Sequence, residues 1–189
     1  MKLGAGWQEA FLRAPIWRFW LGSELCGGTV LGALMPSVDG VGRYFPLTIF
    51  ALADAGEDLP PPEIESHEAW LTGAEDLLLS ALSEGGNFDA LSEAVTRLPG
   101  PASPEATSAE PAPGERMRDG TIVAPAEPSQ IAAVLTDLRR LDHGRSYGQS
   151  TFWWTAGGEG FPAQVAVGRR MPDPYLFTGM LTGRFDQAL

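Results

Sequence analysis

Side chains able to do chemistry are few and widely spaced along the 189 residues. Cys26 is the single thiol, and His67 and His143 are the two imidazoles. Neither histidine sits in an H-x-x-E-H or C-x-x-C arrangement, so the donor spacing of a zinc site is missing. Each lies at the end of a predicted helix, where capping or solvent exposure accounts for it. Ser37 stands two residues before Asp39 in a predicted tight turn, but no G-x-S-x-G elbow surrounds it. A small hydrolase would have to use Ser37 or Cys26 with His143 brought in from a distant segment. Serine and aspartate in turns ordinarily bond their own backbone, which explains both residues without a reaction. Gly27-Gly28 followed by Gly32 lacks the lysine of a phosphate-binding loop, and Gly40-Val41-Gly42 does not fit the dinucleotide pattern. Glu75 and Asp76 fall on the outer face of a predicted helix, where solvated charge is expected. No catalytic, metal or cofactor set emerges, and the expectation is a chain that is not an enzyme.

What stands out instead is a set of large aromatics with polar neighbours: Trp17, Arg18, Trp20, Arg43, Tyr44, Phe45, Trp153 and Trp154. On a strand alternate side chains face opposite sides, so Trp17 and Phe19 share one face while Arg18 and Trp20 share the other. Helices then have two aromatic faces to cover. Any aromatic surface left open would be a protein contact surface.

The elements that position these residues follow from periodicity and punctuation. Trp7 to Ala14 predicts a short helix ended by Pro15, which lacks an amide donor and disfavours helix just before it. Ile16–Leu21 and Thr29–Met35 predict strands separated by the Gly27-Gly28 turn. Residues 36–42 punctuate again, and Tyr44–Ala53 predicts a third strand in an antiparallel meander. Ser66 is placed to cap a helix running to Ser83, with Trp70, Leu71, Leu77, Leu78, Ala81 and Leu82 on one face and Gly85-Gly86 as its stop. Asn87 is placed to cap a second helix with Phe88, Leu91, Val95 and Leu98 inward. Seven prolines between 99 and 128, with few large apolar residues, predict a flexible loop. Ser129–Asp142 predicts a helix with Ile131, Val134, Leu135, Leu138 and Leu141 on one stripe. Strands at 150–155 and 163–168 follow, then a short helix through Leu181. The fold class is α/β of the α+β type: a single, mostly antiparallel sheet of about five strands flanked by helices, with profilin- or longin-like layering. Residues 1–189 form one domain.

Bulk composition limits the partners. Thirteen basic against 24 acidic side chains give a net charge of −11, a field that repels nucleic acid and anionic membrane surfaces. No uncharged apolar run reaches the roughly 18 residues of a membrane span, and the first six residues lack a signal-peptide core. A single thiol gives no reason to invoke an oxidising compartment. The expected location is the cytoplasm.

Four segments carry a family resemblance: residues 14–19 (APIWRF), 34–39 (LMPSVD), 41–48 (VGRYFPLT) and 150–155 with the Trp153-Trp154 pair. In this order and spacing they resemble the hallmark segments of the TagF family, across about residues 5–52 and 129–185. The matching positions include Pro15, Trp17, Arg18, Pro36, Ser37, Asp39, Gly42, Arg43, Tyr44, Phe45, Pro46, Trp153 and Trp154, taken here as structural or partner-binding candidates. The resemblance implies a non-catalytic, post-translational repressor of bacterial type VI secretion. It implies a cytoplasmic protein that binds a forkhead-associated scaffold protein of the apparatus. Family members usually begin with a further segment resembling G-x-x-G-K-x-P-x-x-G-D-F, which this sequence lacks before Trp7. If that segment forms a strand, the sheet edge it leaves would be open to a partner or to a second copy as a homodimer. For Arg43 the residues themselves suggest a guanidinium bonded bidentately to Asp39 across the turn and stacked on a neighbouring ring.

Overall fold

The computed structural model describes residues 6–53, 59–82, 88–101, 115–118 and 121–185. Helix α1 (Trp7–Arg13) leads into β1 (Trp17–Leu21), a short α2 (Ser23–Cys26), β2 (Val30–Val38) and β3 (Tyr44–Leu52). Helices α3 (Glu68–Ser80) and α4 (Phe88–Arg97) follow, then a ribbon of β4 (Glu115–Arg116) and β5 (Ile122–Val123). Helices α5 (Ile131–Leu141) and α6 (His143–Tyr147), strands β6 (Thr151–Thr155) and β7 (Gln164–Gly168), and α7 (Pro174–Thr182) complete it. Five strands form one antiparallel sheet in the order β3-β2-β1-β6-β7. The expected meander and the two late strands are all present, as is the α+β class.

The central strand β1 is covered on both sides. On one face Trp20, Leu31, Ala33, Met35, Ile49 and Phe152 pack against Trp70, Leu71, Ala74 and Leu78 of α3. On the other, Trp17, Phe19, Leu21, Val30 and Trp153 pack against Met180 of α7. A buried indole must find an acceptor for its N–H or leave it desolvated. Trp20 Nε1 donates to the Leu59 carbonyl at 3.1 Å, and Trp17 Nε1 donates to the Met180 carbonyl at 3.0 Å. One strand thus ties down a layer on each side. Trp153 is also buried, and its Nε1 has no partner among the described residues.

Arg18 is the one charged side chain on β1, and its side chain is only 13% exposed. Its Nε and NH2 donate to the two Glu75 oxygens at 2.7 and 2.8 Å, and NH1 donates to Glu68 Oε2 at 2.7 Å. A bidentate fork onto α3 compensates the desolvated guanidinium. The Glu75 hydrogen bonds raise the Arg18 pKa above its ordinary value, against the opposing effect of burial. The Arg18 hydrogen bond in turn lowers that of Glu68.

Several local expectations are corrected. Strand β2 runs through Pro36 to Val38 because Pro36 opposes Pro46. Asp39 N bonds Arg43 O and Ala53 N bonds Thr29 O, so odd-numbered β2 residues occupy the hydrogen-bonded pairs and the two prolines share a non-hydrogen-bonded one. Ser66 does not cap α3. His67 takes the N-cap position with a left-handed backbone (φ 52°), and it is buried rather than exposed, its Nε2 donating to the Pro60 carbonyl at 2.8 Å. The buried α3 face is Trp70, Leu71, Ala74 and Leu78, with Leu82 exposed beyond it. Leu91 and Val95 of α4 and Leu98 just after it pack inward, but Phe88 is exposed. Asn87 and Gly85-Gly86 lie outside the described residues. Within the segment read as a loop, β4 and β5 pair antiparallel. Ile131 and Leu135 of the α5 stripe stay exposed. Arg139 and the Tyr147 hydroxyl both bond Glu63, tying α5 and α6 to the segment before α3. Among the described residues no helix is long and apolar enough to cross a membrane.

Two measurements test this packing. A Cβ on Gly32 would sit 2.5 Å from Phe19 Cζ and 2.7 Å from the Ile49 carbonyl oxygen. Gly32→Ala is therefore expected to destabilise by about 1–3 kcal/mol in urea unfolding. Arg18→Met is expected to cost about 1–3 kcal/mol, below the fully buried figure because both carboxylates keep some contact with water. The sign with pH follows from Glu68, whose folded pKa is depressed. Its contribution is complete above the ordinary value of 4.5 and is lost as pH falls through the lowered one. Stability measured from pH 7 down to pH 3 should therefore fall more gently on the acid side in Arg18→Met than in the native chain.

Candidate docking surface

The family-motif positions separate into two groups in space. Trp17 and Trp153 are buried, Trp154 and Pro15 are half-buried, and Arg18 is held by α3. These residues build the sheet. The remaining ones, Pro36, Ser37, Asp39, Gly42, Arg43, Tyr44, Phe45 and Pro46, converge on the β2–β3 hairpin at one end of the sheet.

The hairpin is organised from within. Gly42 takes φ +83°, which a residue with a Cβ rarely adopts, and its N–H donates to the Asp39 carbonyl at 2.9 Å. Asp39 Oδ1 accepts from the backbone N–H groups of Val41 and Arg43 at 3.1 and 2.9 Å, and Oδ2 accepts from Arg43 Nε at 2.6 Å. Those bonds, the Arg43 amide foremost, lower the Asp39 pKa. The Asp39–Arg43 contact is as expected, but it is a single Nε bond and the guanidinium is 80% exposed, so the bidentate pairing is corrected. No ring stacks on Arg43 among the described residues. Backbone amides fill Asp39 Oδ1 first, leaving one oxygen for the guanidinium. Tyr44 is braced by aromatic edges from Trp7 and Phe11, at 5.0 and 6.0 Å between centroids. The result is an internally bonded tip presenting Val38, Val41 and Phe45 to solvent beside the exposed, Asp39-bonded Arg43 guanidinium.

The alternative chemistry does not assemble around Ser37. Strand β2 separates Ser37 from Cys26 by about 20–25 Å at the usual rise per residue. Helix α6, which His143 opens, ends beside Glu24 at the Cys26 end, where Glu24 N bonds the Gly148 carbonyl at 2.9 Å. The His143 side chain lies outside what the structure describes. Cys26 is an exposed free thiol. His67 Nε2 is bonded to the Pro60 carbonyl. Among the described residues no group of three metal-ligating side chains comes together.

A cleft of about 480 Å³ opens between α1, the 159–161 turn and α7, lined by Glu9, Arg13, Glu159, Phe161, Tyr175 and Arg184 among others. Its threonine hydroxyls are committed to helix backbone: Thr178 donates to the Pro174 carbonyl and Thr182 to the Thr178 carbonyl. The cleft draws on three segments far apart in the chain, so no local sequence signal could have announced it.

If Asp39 holds the tip, Asp39→Ala should speed amide exchange at residues 38–44 while leaving β1 and β6 protected, measured by hydrogen–deuterium exchange. Equal exchange in both proteins would mean that the strands alone fix the turn.

Residues 1–98 match the family described as TagF N-terminal domain, type VI secretion system-associated. The fold is similar to the crystal structure of PA0076 from Pseudomonas aeruginosa PAO1, with a TM-score of 0.70 and 31% sequence identity, covering 97% of this chain and 77% of that one. No curated protein matches. The motif order, the sheet and these similarities agree: the chain belongs to the type VI secretion system-associated TagF family.

Proposed function

We propose that the chain is a non-catalytic, cytoplasmic repressor of type VI secretion that acts after translation. It does so by binding a forkhead-associated scaffold protein of the apparatus through the tip of the β2–β3 hairpin. The observation that carries this reading is the division of the motif residues. Those not used in the core gather on one exposed, internally braced tip. Solvent-facing Val41 and Phe45 contribute nothing to the two buried clusters. Exposed apolar side chains on an internally bonded turn, next to an extended arginine, have the composition of a contact patch core with a charged rim. The turn's internal hydrogen bonds lower the entropic cost of docking, because its backbone is already tied in place before contact.

The test is co-purification of tagged protein with the forkhead-associated scaffold from cells that carry the apparatus, together with export of a secreted apparatus component. Val41→Glu/Phe45→Glu is expected to weaken retention by roughly 2 kcal/mol or more and to relieve repression, with an unchanged thermal melt. Undiminished retention by the double variant would remove the hairpin from the reading. Failure of the native chain to retain the scaffold would remove the partner.

A further inference from the structure

The sheet ends in two edges that differ in their openness to another strand. On β3 the even-numbered residues turn their backbone groups outward, because the odd-numbered ones bond β2. Pro46 therefore deletes an outward donor, and Thr48 Oγ1 donates to the Pro46 carbonyl at 3.2 Å, occupying the acceptor beside it. Proline on an edge is a recognised block to strand addition. β7 has no such block. Its sequence, QVAVG, contains neither proline nor charge, and among the described residues no further strand lies beyond it in the sheet order.

The two faces of β7 also differ. Gln164 and Ala166 turn toward α7, where Gln164 Nε2 donates to the Gly183 carbonyl at 3.0 Å and Ala166 joins the buried cluster. Val165 and Val167 oppose Trp154 and Phe152 on the α3 side and are 72% and 64% exposed. Strand β7 is followed directly by Arg169 and Arg170, both exposed and in no ion pair among the described residues. The nearest carboxylate in sequence, Asp173, is committed to capping α7 through Tyr175 N and Leu176 N. The molecule as a whole carries −11, yet its acidic groups are concentrated before residue 129. At physiological salt, charges beyond about 8–10 Å are largely screened, so a segment at β7 meets the local arginines.

We infer that β7 is a second docking edge, which accepts an extended segment of a partner protein as a sixth antiparallel strand. That segment carries acidic residues followed by alternating apolar ones. Antiparallel pairing sets this order: the start of the incoming strand lies opposite Arg169 and Arg170, and its later apolar side chains lie beside Val165 and Val167. The β7 edge lies across the whole sheet from β3, so this surface is separate from the hairpin tip and does not depend on the function proposed for it.

The experiment is amide NMR on the full ¹⁵N-labelled chain, titrated with the capped peptide Glu-Glu-Thr-Val-Thr-Val-Thr, and with a control in which Lys-Lys replaces Glu-Glu. The expected result is shifts confined to residues 163–171 and 151–155, slowed exchange of β7 amides, and binding about tenfold tighter for the acidic peptide. Arg169→Glu/Arg170→Glu, which alters only exposed side chains, should reverse the preference between the two peptides while retaining the native spectrum. The inference is overturned by no shift at β7 up to about 2 mM peptide, in the weak-affinity range. Equal affinity for both peptides, or shifts on β3 instead, would also overturn it. So would β7 amides protected without peptide in a concentration-dependent dimer, which would assign the edge to a second copy.

Discussion

A strand covered on both faces has no solvent to receive a polar side chain, and that constraint on β1 organises the molecule. Four of its five side chains lie in apolar layers with no charge to satisfy. Arg18 alone must be matched, and α3 supplies two carboxylates that together bond all three of its guanidinium nitrogens. Such a pair contributes more to arrangement than to net stability, since apolar substitutes can do as well energetically. What it fixes is the placement of α3 over β1 and β2, and hence the pocket in which Trp20 meets the Leu59 carbonyl. The opposite face is fixed by a second indole, Trp17, whose N–H reaches the end of α7. Arrangement of the whole domain follows from five consecutive residues.

Much of this was legible in the sequence. Runs of aromatic and β-branched residues between glycine and proline punctuation located all five sheet strands. Apolar periodicity located α3, α4 and α5, and the prolines at 172 and 174 located the start of α7. The errors have physical causes. Proline was read as a strand terminator at Pro36, whereas strand pairing leaves alternate positions that need no donor toward the partner, and Pro36 occupies one. His67 reads as a capping or exposed side chain at a helix end, and it does take the N-cap position, but its side chain makes no cap bond and is buried. Here the ring turns inward to a carbonyl seven residues earlier, and the backbone takes a left-handed turn to allow it. The α5 stripe reads from periodicity as one apolar face, but periodicity does not show what covers it, and Ile131 and Leu135 stay exposed.

The candidate surface was legible in part. Asp39, Gly42 and Arg43 were recognised as a turn, and they do form one. Their convergence with Tyr44 and Phe45 on a single tip depends on β2–β3 register, which single-sequence periodicity gives only approximately. The β7 edge was less visible still. Its significance comes from the contrast with β3, and that contrast appears only once strand order and the outward direction of Pro46 are known.

Strand order carries one more consequence. β1 pairs with β2, a near neighbour, and with β6, which arrives about 130 residues later in the chain. Trp17 likewise bonds a carbonyl 163 residues away. During synthesis the first three strands leave the ribosome long before β6 and α7 exist, so β1 must wait with one flank and one aromatic face open. The region matched by the family description, residues 1–98, holds β1 but neither of the late elements that cover it. The nascent amino-terminal half therefore leaves one flank and one aromatic face of β1 uncovered until β6 and α7 arrive and close the sheet.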